Sequence, residues 1–272
     1  MEIFTNFLYQ MVFTVGVIVV FGLLIALCRR AFCAIAGVNG PKILLITGVV
    51  GTPIHELSHA LMCLVFGHKI NKIKLYDPKN NDGTLGYVNH SYNPKNLYHQ
   101  IGNFFIGIAP ILGGSGVLLL LMHIFVPEVC SDVMAELESA SLLTHDLSDL
   151  SAYAAYLEIF GEMILRVFDV ANLSDVRWWI FIVLALMICG HMELSFADIK
   201  GGFFGFLYIA GIVLVLDVIL YFASLSALEA VTSAMVCFSS YIISFLAISG
   251  IFSALMVLMA LVIKGIVMIV KR

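Results

Sequence analysis

Apolar residues fall along this chain in long runs separated by short polar stretches. The runs lie near Leu8–Cys28, Ile43–Phe66, Ile101–Val126, Trp178–Ala197, Phe203–Leu225 and Val236–Ile263, and about 20 helical residues cross a hydrocarbon core of about 30 Å. This pattern predicts an all-α multi-spanning membrane protein of about six transmembrane helices. The last run exceeds one crossing, which leaves a tilted helix, an interfacial extension or a broken pair open.

Two polar segments interrupt the runs. In the first, His68 to Gln100, alternation in Ile70-Asn71-Lys72-Ile73-Lys74-Leu75-Tyr76 gives way to a turn through Asp77-Pro78-Lys79-Asn80-Asn81-Asp82-Gly83. Extended character resumes over Thr84–Tyr92, so a small β-hairpin insertion is predicted. The second, Pro127 to Arg177, is strongly acidic and predicts one or two short amphipathic helices outside the membrane core. The chain thus divides into an N-terminal helix and connection (1–42), a central unit (43–202) and C-terminal helices (203–272).

Composition agrees with the runs: 61% of residues are hydrophobic and 12% charged, too few charges for a soluble domain of 272 residues. The start of the chain reads as a span and not a cleaved signal, because Glu2 stands where a basic region would be. A net charge of -4 without basic and aromatic clustering gives no reason to expect a nucleic-acid partner. The six cysteines form no CxxC pair, so neither a disulfide framework nor cysteine ligation of zinc is expected. Nine of the fourteen Lys and Arg residues fall on the side that holds the hairpin. That bias places the hairpin in the cytoplasm, although Arg29 and Arg30 on the other side oppose it.

The second run carries His55-Glu56-Leu57-Ser58-His59. On a helix the two histidines share one face and can share a zinc ion, Zn2+, while Glu56 lies about 100° round, beside the metal. That is the place of a general base for a water that zinc acidifies. Ionisable groups inside an apolar run cost roughly 3 kcal/mol each unless they have a partner or face a wet cavity, which favours function over packing. Gly51 and Pro53 are expected to loosen the helix just upstream. Zinc needs a third ligand, and Asp198, at the end of the fourth run, lies on the same side as the motif. His191, seven residues earlier, would share a helical face with Asp198, as a supporting partner or as an interhelical hydrogen bond. Glu193 is the weaker ligand candidate.

From Ile43 to Gly202 the chain resembles the site-2 protease family of intramembrane metalloproteases: HExxH in a span, a hairpin, a span with small residues and proline, then an aspartate before glycine. The resemblance implies His55, His59 and Asp198 as zinc ligands and Glu56 as the residue that activates water. Here Ala197-Asp198-Ile199-Lys200-Gly201 stands where the family usually has Leu-Asp-Gly. Ala109-Pro110-Ile111-Leu112-Gly113 likewise replaces its Gly-Pro and asparagine pattern. Asn103 is then the candidate to orient substrate, unless Gly107, Gly113 and Gly114 serve only close helix contact. The strand edge carrying Thr84, Gly86 and Val88 is the candidate to hold an unwound substrate by strand addition, or else the hairpin is a plain connection.

The function expected is cleavage of a membrane-protein substrate in or near a transmembrane segment, within the cell (cytoplasmic) membrane. One alternative takes the third ligand from Glu158 or Glu162. Another is a non-catalytic zinc-binding membrane protein or transporter. Asp217, inside the fifth run, is a functional candidate or a carboxyl bonded to a neighbouring helix. His68, His90, His99, His123 and His145 lack ligand spacing to one another and read as ordinary polar or interfacial residues.

Overall fold

The computed structural model describes residues 2–80, 84–141 and 150–270. Among the described residues, four helical stretches are long and apolar enough to cross a membrane: Ile3–Val65, Leu97–Phe125, Phe196–Ala223 and Leu225–Val270. The first is α1 (Glu2–Met11), a π-helical turn, α2 (Val17–Ala36), a 3-10 turn at Gly37–Asn39, and α3 (Gly40–Val65). α3 continues through Pro53, which leaves the Val49 carbonyl without its helical N–H donor. Gly51 serves close packing, because a Cβ there would collide with the Met187 carbonyl oxygen.

α3 ends in a Schellman motif. Gly67 adopts φ +68°, its N–H donates to the Leu64 carbonyl (3.2 Å), and the His68 N–H donates to the Cys63 carbonyl (2.8 Å). The chain then enters an antiparallel hairpin, β1 (Lys69–Lys74) and β2 (Tyr87–Ser91), with an irregularity between Ile70 and Lys72. β2 is shorter than the extended stretch expected from Thr84 to Tyr92, and residues 81–83 of the turn lie outside those described. The Tyr76 hydroxyl donates to the Leu45 carbonyl (2.5 Å), tying the hairpin to α3.

α4 (Leu97–Phe125) starts under an Asn96 cap and contains Pro110. The acidic segment forms two helices, α5 (Pro127–Ser141) and α6 (Leu150–Val167). They bury Val129, Val133, Leu137, Met163 and Val167 in a core shared with Ile25 of α2, Ile111 of α4 and Phe252 further on. The acidic side chains take the outer faces, as an amphipathic pattern requires.

The fourth apolar run does not form the single helix expected. α7 (Val176–Cys189) stops early, Gly190 and His191 turn, and α8 (Phe196–Ala223) begins in the same apolar run. Ser195 and Asp198 form a capping box: the Ser195 hydroxyl accepts the Asp198 N–H (3.1 Å), and the Asp198 carboxylate accepts the Ser195 N–H (2.9 Å). Asp198 therefore opens the next helix instead of closing the previous one. The last run is one continuous helix, α9 (Leu225–Val270), ~69 Å long at 1.5 Å per residue, and not a broken pair.

Candidate metal centre

The four-residue spacing on α3 sets the imidazoles of His55 and His59 on one face, ring centres 4.8 Å apart. Each ring is fixed through Nδ1. His55 Nδ1 donates to the His191 carbonyl (2.7 Å), and His59 Nδ1 donates to the Ile106 carbonyl (2.7 Å). A carbonyl only accepts, so in the neutral rings both Nε2 atoms present lone pairs. These two atoms lie 3.1 Å apart, and His59 Nε2 lies 3.4 Å from Asp198 Oδ1. Ligand atoms of His55, His59 and Asp198 all fall within 4.8 Å of one another. Facing lone pairs repel unless a cation stands between them, and imidazoles held through the other ring nitrogen are the usual pose of metal ligands.

The two supporting carbonyls are free for local reasons. Pro110 has no N–H, so the carbonyl of Ile106, four residues before it, has no helical donor. The His191 carbonyl lies in the turn after α7, outside any helix. His191 thus supports His55 through its backbone, not from a helical face shared with Asp198. Its ring contacts Thr47 Oγ1 (3.0 Å) and Thr52 Oγ1 (3.4 Å) of α3.

Asp198 divides its oxygens: Oδ2 takes the Ser195 N–H and Oδ1 faces His59. Gly107 of α4 lets α8 approach, since a Cβ there would lie 2.7 Å from the Asp198 carbonyl oxygen; Gly113 similarly abuts Ser58. The close-contact reading of these two glycines fits that packing.

A cavity of about 530 Å³ opens over the cluster, lined by His55, Glu56, His59, Asp198 and, from the hairpin side, Thr84, Gly86, Val88 and His90. Gly86 rests on the general-base candidate: a Cβ there would lie 2.8 Å from Glu56 Cγ. Asn103 does not line this cavity. It is buried in the α4–α8 contact and its Nδ2 has no hydrogen-bond partner, so its expected place beside substrate is not where the structure puts it.

Glu158 and Glu162 lie on exposed parts of α6 and do not line the cavity. Asp217 is also elsewhere: Gln10 Nε2 donates to its Oδ1 (3.0 Å) and to Thr232 Oγ1 (2.8 Å), joining α1, α8 and α9. The sequence reading missed Arg29, which lines the cavity paired with Glu193. An arginine inside an apolar stretch needs such a partner, and that signal was present. It also missed that His68 and His90 come together with Cys63. Burial, above all, holds both imidazoles below the usual histidine pKa.

No family model matches the chain, and neither a curated protein nor a solved structure matches it.

Proposed function

We propose that this protein is an intramembrane zinc endopeptidase similar to the site-2 protease family, hydrolysing a peptide bond in or near a transmembrane segment of a membrane-protein substrate. The observation that carries this reading is the convergence of His55 Nε2, His59 Nε2 and Asp198 Oδ1 beside Glu56. Two imidazoles and a carboxylate suit zinc, and three protein ligands leave a fourth position open, as catalytic sites require. When bound, zinc supplies Lewis acidity, acidifying water toward a pKa of about 7 and polarising a carbonyl.

His55 and His59 hold the ion through rings that the His191 and Ile106 carbonyls orient. Glu56, buried at the cavity wall, takes a proton from water and returns it to the leaving amine. A transmembrane helix shields its own peptide bonds, so substrate must unwind before attack. Within the described residues β2 pairs only with β1. Its other edge, continued by Gly86 and Thr84 along the cavity, receives the unwound strand.

In this reading the chain crosses the cell membrane several times with the hairpin in the cytoplasm, and α7 and α8 follow one another in the same direction past α4, Met192 against Gly114, Asp198 against Gly107 and Gly205 against Gln100. α7, ~21 Å long, is shorter than the hydrocarbon core, yet it packs Phe181, Ala185 and Ile188 inside the protein. Cleavage then occurs near the cytoplasmic face.

Quantitative membrane proteomics on cells expressing the wild type or Glu56→Gln tests the proposal, with zinc content measured on both purified proteins. The variant keeps its zinc, and intact substrate accumulates as cleavage falls by at least about 100-fold. Unchanged turnover in the variant overturns the reading.

A further inference from the structure

Donors to a second ion meet where α3 ends. In the Schellman motif the third residue from the helix end contacts the second residue past its cap. Here that pair is Cys63 and His68, joined by the 2.8 Å bond from the His68 N–H to the Cys63 carbonyl. The contact is ordinarily apolar; in this chain it sets a thiol beside an imidazole. Hairpin register supplies the third group. Ile70 pairs with His90, which brings the His90 ring over His68, with their Nδ1 atoms 3.0 Å apart. Ligand atoms of Cys63, His68 and His90 all lie within 4.8 Å of one another.

The support of these groups matches that of the first cluster. His68 Nε2 donates to the His99 carbonyl (2.9 Å), leaving its Nδ1 lone pair toward His90 and Cys63. Tyr92 stacks on the His68 ring at 5.0 Å between centroids and fixes its plane. The Cys63 side chain is fully enclosed. A thiolate and two imidazoles are three of the four ligands of a tetrahedral zinc site.

We propose that Cys63, His68 and His90 form a second zinc site, distinct from His55, His59 and Asp198, that fastens the hairpin to the end of α3. The site stands whether or not the chain is a protease. On binding, the Cys63 thiol loses its proton to solvent and the sulfur becomes the ligand. Cys63 lies one helical turn beyond His59, so α3 presents donors at 55, 59 and 63 along one face. Because β2 runs on from this site along the cavity, the ion also steadies the strand that meets Glu56.

Sulfur separates the two sites experimentally. Full-length protein in detergent, stripped by chelator and reloaded with cobalt(II), is expected to take up two ions per chain. A thiolate-to-cobalt charge-transfer absorption should accompany them, and zinc should abolish it. Cys63→Ser loses that absorption and one ion, whereas His55→Ala loses one ion and keeps it. His90→Ala, a hairpin substitution, gives the same reading as Cys63→Ser if the latter does not fold. A wild type without the absorption, its persistence in Cys63→Ser, or a failure of zinc to displace cobalt would each overturn the proposal.

Discussion

Pro110 and His59 are coupled through one oxygen: the proline leaves the Ile106 carbonyl without a helical donor, and His59 Nδ1 occupies it at 2.7 Å. A residue on α4 thus fixes the orientation of a ring on α3. Pro110→Ala restores an N–H that competes for the same carbonyl. Zinc affinity is expected to fall by about 10- to 100-fold, the usual cost of losing such a support. Competition against a chelator of known strength measures it. Affinity equal to that of the wild type would show that His59 does not depend on that oxygen.

Gly86 offers a test of the strand's place. A methyl group at this position would press on Glu56 Cγ and Thr52 Cγ2, each at 2.8 Å. Gly86→Ala should therefore retain zinc while kcat drops by about 10- to 100-fold, as expected when a catalytic group is misplaced by a fraction of an ångström. Loss of zinc together with activity would point instead to a disturbed ligand set.

The third ligand separates the two enzymatic readings. Asp198→Ala is expected to lose the ion from the His55 and His59 cluster, while Glu158→Ala and Glu162→Ala, on the exposed side of α6, retain it. Asp198→Asn keeps an oxygen for the Ser195 N–H and so preserves the start of α8. If the asparagine variant folds as stably as the wild type yet binds zinc more weakly, capping and ligation are separate duties of one side chain. Full zinc content in Asp198→Ala would exclude the aspartate as a ligand.

The helical face shared by His55 and His59 was legible because a four-residue spacing fixes geometry without knowledge of the rest of the fold. The position of Asp198 was only half legible. Hydropathy assigns the first residues of α8 to the run that forms α7, since Phe196 and Ala197 are apolar whichever helix they belong to. The Ser195-Phe196-Ala197-Asp198 spacing did carry a helix-start signal that the longer apolar pattern concealed. The grouping of Cys63, His68 and His90 depends on a turn at Gly67 and on strand register, neither of which a search for ligand spacing examines. Gln10 and Asp217 are 207 residues apart, and only helix packing joins them.

That last contact bears on how α8 behaves. Its first turn is held at Asp198, between Ser195 and His59, and its far part is held at Asp217 by Gln10. Most of the helix between is exposed apolar surface. α8 is therefore held at its first turn, at its far part, and against α4 in between, where Gly202 and Gly205 meet the Phe104 backbone. Under the proposed function, moving α8 aside to admit a substrate would cost a carboxylate contact at each end and the α4 packing between them.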